Sequence, residues 1–324
     1  MVGCSDPQCR QLTYAAASTV LTMAIAWSCS TCGATGDNRD VPSPTKIPDN
    51  STLPTKFQRL VPLHQPLGKP GPGDWLANHP EPGQTYDQYA RSRPVRADQR
   101  RRVIYIQPLG DFSPIQRKIV QFTGEFMGIF FQLPVRVRDD LPLSRIPERA
   151  RRKHPQWGVS QILSTYVLDK VLKPRLPGDG VALIAITTSD LWPGEGWNFV
   201  FGQASLANRV GVWSMARFGD SERSPDALLL TLRRTLATAT HETGHMFSMQ
   251  HCVFYECLMC GSNSLEEADR RPLCLCPQCL AKLCYATGAN PEQRFKALVV
   301  FGKAHGLKEE ADFWQRSLEA IQKR

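Results

Sequence analysis

The residues best equipped for chemistry are consecutive: His241-Glu242-Thr243-Gly244-His245-Met246-Phe247-Ser248-Met249-Gln250-His251-Cys252. A helix turns about 100° per residue, so side chains four apart lie on one face. His241 and His245 can therefore aim two imidazoles at one metal ion, and Glu242 can aim at a water beside it. His251, six residues on, supplies a third imidazole if the chain turns sharply between. Three neutral imidazoles and one open position form the usual arrangement of a catalytic zinc. Cysteines follow: Cys252 directly after His251, then Cys257, then Cys276 and Cys279 in a CxxC knuckle. Four thiolates make a closed tetrahedral site, and closed zinc sites are structural. Cys260 and Cys274 are near enough in sequence to compete as ligands.

The pattern HExxHxxSxxHC, four residues, Cys257, one residue, Met259 and then CxxC resembles the archaemetzincins, a family of metzincin-type zinc peptidases. Residues 73–89 (GDWLANHPEPGQTYDQY), 197–206 (WNFVFGQASL) and 261–283 (GSNSLEEADRRPLCLCPQCLAKL) also resemble the family, most closely its eukaryotic-type branch. The resemblance spans residues 73–307. It implies an α+β catalytic domain, a mixed sheet with packed helices, carrying an added four-cysteine zinc subsite. It implies two zinc ions per chain: a catalytic one on His241, His245 and His251, and a structural one on Cys252, Cys257, Cys276 and Cys279. It further implies peptide-bond hydrolysis by a zinc-bound water with Glu242 as general base, aminopeptidase-like on short peptides. Met259 takes the place of the Met-turn methionine beneath the histidines, and Ser262 and Asn263 are candidate pocket residues. At position 248 the family has glycine, which leaves a helix with positive φ at no steric cost. Serine there costs about 1–2 kcal/mol, so the path to His251 rests on how this chain accommodates Ser248. Two rival readings are a catalytically weak peptide-binding protein that keeps its zinc and a zinc-module adaptor.

The elements that must position these residues can be followed along the chain. Residues 102–107 (RVIYIQ), 133–137 (LPVRV) and 181–187 (VALIAIT) read as strands, the last apolar throughout and so buried on both faces. Residues 114–131 and 158–172 carry helical spacing. Residues 197–201 and 210–218 suggest a hairpin, and the resemblance implies that part of residues 202–218 is an antiparallel strand bordering the cleft, to which substrate adds as a further strand. Ser224-Pro225-Asp226 is a strong helix start. The helix it opens delivers His241 and His245 and must end near Ser248. The acids of residues 265–271 are expected on a solvated helix, and residues 290–301 and 307–321 as two closing amphipathic helices.

The chain has 324 residues and a net charge of +9, concentrated in residues 91–102 and 145–154. No nucleic-acid motif accompanies these runs, so they read as a solvated basic face and the expected partner is a peptide or protein substrate, not nucleic acid. Residues 1–37 contain an apolar stretch at 12–27 followed by Ala26-Trp27-Ser28-Cys29, readable as a signal or lipoprotein leader or as a disordered tail. Secretion or membrane attachment through the N-terminus follows from the first reading, a cytoplasmic location from the second. Residues 38–98 are expected as a Pro-rich linker, extended to about residue 73, and then an ordered arm. Residues 99–324 are expected as the metallopeptidase domain. Oligomeric state has no signature in the sequence.

Overall fold

The structure is a computed structural model that describes residues 22–26 and 46–323. The expected leader and its Ala26-Trp27-Ser28-Cys29 run fall outside the described residues, apart from the backbone of strand β1 (Thr22–Ala26). Among the described residues no helix is long and apolar enough to cross a membrane.

The scaffold is a mixed sheet with helices on both faces, an α+β fold. Its further strands are β2 (Val103–Leu109), β3 (Val135–Val137), β4 (Arg151–Lys153), β5 (Ser160–Leu163), β6 (Gly180–Thr187), β7 (Asp190–Trp192), β8 (Val200–Ser205) and β9 (Val210–Ser214). They lie in the order β3-β2-β6-β9-β8-β7-β5-β4. The pairs β2/β3, β2/β6 and β6/β9 are parallel, and β8 runs antiparallel to β9. On its other side β8 carries β1, also antiparallel. Side chains alternate across a strand, so β2 and β6 feed two cores. Ile104, Ile106, Ala182, Ile184 and Ile186 face one, while Val103, Tyr105, Leu183 and Ala185 face the other. The unbroken apolar run of β6 is thus explained by burial on both faces.

The helices among the described residues are α1 (Thr55–Gln58), α2 (Trp75–Asn78), α3 (Tyr86–Arg91), α4 (Pro114–Phe131), α5 (Ser164–Tyr166), α6 (Pro225–Met246), α7 (Leu265–Asp269), α8 (Pro277–Thr287), α9 (Pro291–Ala304) and α10 (Lys308–Gln322), of which α4, α6, α8, α9 and α10 close the larger core. Ser224 caps α6 by accepting from Ala227 N, with Pro225 next, so the helix starts where the sequence placed it. The hairpin is β8–β9, and β8 is its antiparallel member.

Three expectations need correction. Residues 158–172 are not one helix. Buried Gln161 is held by Arg152, Asp190 and the Asn198 carbonyl, which makes 160–163 a strand. One helical turn (Ser164–Tyr166) and a wide turn (Val167–Leu172) then follow. Second, residues 46–73 are not an extended linker. Asn50–Thr52, Thr55–Gln58 and Val61–Leu63 form short helices, and Leu53, Phe57 and Leu60 enter the larger core. The boundary at residue 98 therefore separates no independent core. Third, the acids of 265–271 are not all solvated. Glu267 is buried beside Arg271, and Asp269 pairs with Arg234.

Candidate metal centre

Helix α6 ends on a Schellman turn. Ser248 N bonds His245 O at 2.7 Å, Met249 N bonds Gly244 O at 3.2 Å, and Ser248 itself has φ 67°. Serine thus takes the left-handed conformation that glycine would, and its side chain has a use there: Ser248 Oγ accepts from Val95 N at 3.1 Å. This turn carries the chain back to His251. Met259 packs beneath the helix, and a Cβ at Gly244 would fall 2.7 Å from its sulfur. A side chain at Gly244, between the two helical histidines, would have to push the Met259 thioether aside.

The structure brings His241, His245 and His251 together, buried, with ligating atoms within 4.8 Å of one another. Each ring is held by its Nδ1. His241 Nδ1 donates to Leu258 O at 2.8 Å, His245 Nδ1 to Met249 O at 2.6 Å and His251 Nδ1 to the Glu81 carboxylate at 2.9 and 3.0 Å. Carbonyl and carboxylate oxygens only accept. All three rings are thereby set as the Nδ1–H tautomer with Nε2 lone pairs available for a metal. Two of those, on His241 and His245, lie 2.9 Å apart; neutral rings in that arrangement call for a cation between them. Burial favours the neutral form, lowering His241 to about 3 and His245 well below its ordinary value. Glu242 is buried with Oε2 lacking a partner, and burial raises its carboxyl to about 8. Three buried imidazoles oriented through Nδ1 are a donor set that fits zinc, and Glu242, next to His241 in sequence, is left outside that set with one oxygen unpartnered.

Cys252, Cys257, Cys276 and Cys279 form a second buried cluster, also within 4.8 Å. Cys276 N and Met259 N point at Cys257 Sγ, at 3.3 and 3.5 Å. Burial pushes the Cys257 and Cys276 thiols well up, while hydrogen bonds from Cys257, Cys260 and the other thiols hold Cys252 down. A dication at the centre is what would allow all four to shed protons. None of the seven described cysteines is in a disulfide. Cys260 lies at the edge of the cluster, its Sγ on Tyr255 O at 3.3 Å, and Cys274 is outside it. Residues 65–67 bond along 254–256, so the segment expected as linker covers the loop between Cys252 and Cys257.

Ser262 lines a cavity of about 50 Å³ with Ala237, Thr238, His241 and Leu258. Asn263 does not; its Nδ2 donates to Gly73 O. The arm 73–89 lies against the centre and contributes Glu81, which sequence reasoning did not single out. Its only signal was the aromatic-rich phrase around it.

Two clusters that could each hold a metal ion, joined through the His251–Cys252 peptide unit on an α+β scaffold, have the form of a zincin-type centre with a cysteine subsite. The family model "Peptidase family M54" matches residues 161–284. Human archaemetzincin-2 is 37% identical over 275 residues, covering 75% of this chain and 76% of that protein. Human archaemetzincin-1 is 29% identical over 262 residues, covering 71% and 52%. Among solved structures, archaemetzincin from Methanopyrus kandleri aligns with TM-score 0.46 and 28% identity over 58% of this chain and 97% of that one. The chain belongs to the archaemetzincin family and is a zinc metallopeptidase.

Proposed function

We propose that this chain hydrolyses peptide bonds at a zinc ion held by His241, His245 and His251, with Glu242 as general base, and that a second zinc on Cys252, Cys257, Cys276 and Cys279 is structural. The observation that carries the reading is the fixing of all three imidazoles through Nδ1, which leaves three Nε2 atoms converging. Zinc bound there supplies a Lewis acid that activates water near neutral pH and polarises the scissile carbonyl. Glu242 follows a histidine ligand on α6 and is buried without another partner for Oε2. A cation on the three histidines would favour the ionised form of Glu242, whose carboxylate takes the proton of the attacking water and delivers it to the leaving amine. The substrate main chain adds along β8 in place of the antiparallel pairing that Thr22–Ala26 makes there, a reading supported by the family resemblance. The cavity beside His241 and Ser262 accepts a small side chain of the substrate. Action near the N-terminus of short peptides is the expected mode.

The test is hydrolysis of a mixed peptide library by the full chain, read by mass spectrometry, with Glu242→Gln alongside and zinc counted in both. Cleavage in the wild type and a loss of at least about a hundredfold in a variant that keeps its zinc is expected. Equal turnover in the variant would remove Glu242 from the reaction, and absent turnover in a zinc-loaded wild type would favour a peptide-binding role.

A further inference from the structure

We propose that Glu81, carried on the N-terminal arm, is a positioning residue of the metal centre, orienting the third histidine for the ion. This rests on the three-histidine reading above. The three ligands are not held alike. His241 and His245 project from a helix, and their Nδ1 atoms bond the backbone carbonyls of Leu258 and Met249. Those acceptors come with the local chain path. His251 lies beyond the left-handed turn at Ser248, on a loop, and its Nδ1 has a side-chain acceptor from 170 residues upstream. It is the ligand whose orientation the helix does least to determine, and the one given a carboxylate.

The carboxylate is itself held. Trp75 Nε1 donates to Glu81 Oε1 at 2.7 Å, and the indole meets the His251 ring edge-on at 5.3 Å. The indole occupies the space where a Cβ on Gly261 would stand, 2.4 Å from Trp75 Cδ1. Trp75 N in turn donates to the buried Glu267 carboxylate at 3.0 Å. On the other side of Glu81, Gly83 has φ +70° and lies so close to Val253 that a Cβ would fall 2.4 Å from its side chain. Gln84 Oε1 accepts from Gln250 N, and Tyr89 Oη donates to Phe247 O at 2.6 Å. The arm is thus fastened on both sides of residue 81 to the segments that carry the ligands. A carboxylate on a ligating histidine fixes its tautomer, raises its basicity and restricts its rotation. Glu81, with Trp75 holding it, therefore belongs to the metal-binding unit of this chain, outside the 161–284 matched by the family model.

The test uses the full chain, zinc-loaded, and four variants: Glu81→Ala, Glu81→Gln, Thr85→Ala and His241→Ala. Thr85→Ala removes the capping box of the arm helix Tyr86–Arg91 without touching Glu81. Zinc retention is read by graded chelator competition. Histidine Nδ1–H signals are read by NMR after selective labelling of the seven histidines. Glu81→Ala should weaken the ion that His241→Ala abolishes by about ten- to a hundredfold and shift one Nδ1–H signal. Glu81→Gln, whose amide oxygen still accepts, should recover most of that affinity, and Thr85→Ala should change it less than about twofold, the arm's remaining contacts being intact. Unchanged affinity in Glu81→Ala would overturn the proposal, as would an equal loss in Thr85→Ala, which would assign the effect to arm packing. A wild type with no ion sensitive to His241→Ala would instead remove the three-histidine reading itself.

Discussion

Ser248 holds the left-handed position at the end of the helix that carries His241 and His245. Its φ of 67° costs about 1–2 kcal/mol relative to glycine. Against this stands one half-buried hydrogen bond, Val95 N to Ser248 Oγ, worth about 1 kcal/mol. Ser248→Gly relieves the strain and loses the bond, and it adds about 0.4–1 kcal/mol of unfolded-chain entropy. The three terms nearly cancel, so stability should stay within about 1 kcal/mol of wild type. Ser248→Ala keeps the strain and loses the bond, and should cost about 1 kcal/mol. Ser248→Val adds a β-branched side chain in the left-handed region and should cost at least about 2 kcal/mol. Urea unfolding of the zinc-saturated protein, compared by midpoint at constant slope, gives the order serine and glycine first, then alanine, then valine. An alanine variant as stable as wild type, or a glycine variant more stable by over about 2 kcal/mol, would refute a serine retained by its bond to Val95.

Other outcomes follow from the same packing. Gly244→Ala places a methyl group 2.7 Å from the Met259 sulfur and should cost about 1–3 kcal/mol; a double-mutant cycle with Met259→Ala should recover part of it, and strict additivity would argue against the contact. Burial lowers His64 to about 4, outweighing attraction to Cys252. The unfolded chain therefore takes up this proton first, so the His64 contribution is complete above pH 6.5 and drains by up to about 3 kcal/mol toward pH 4. His64→Phe, still packing edge-on with Tyr255 and Phe313, should flatten thermal midpoints between pH 7 and 5; an unchanged slope would exclude His64 as the source. Burial raises Cys274 to about 12 and Cys284 to about 11. Alkylation of the native protein at pH 8 should spare both, and chelator should expose Cys252, Cys257, Cys276 and Cys279 first. Modification of Cys274 ahead of those four would contradict the packing.

Much of the site was legible because its signals are local. HExxH is a statement about one helix face, Ser-Pro-Asp is a statement about one helix start, and the unbroken apolar run of β6 reports burial on both faces. The four cysteines and three histidines lie within 39 residues, counting from His241 to Cys279, so their assembly needs only short loops. Residues 158–172 carry helical spacing, yet Gln161 is fixed as strand by Asp190 and Arg152, partners that no periodicity reveals. From residue 46 the prolines mask a core stripe whose partners lie over two hundred residues away.

Residue types and their spacing by themselves determined the metal chemistry, the helix that presents it and the family. Tertiary structure alone decided that Ser248 turns the chain as glycine would, that Glu267 is buried, and that Glu81 meets His251. Each of these depends on a contact between distant segments, where the energy lies in a pairing and not in either residue's own preference.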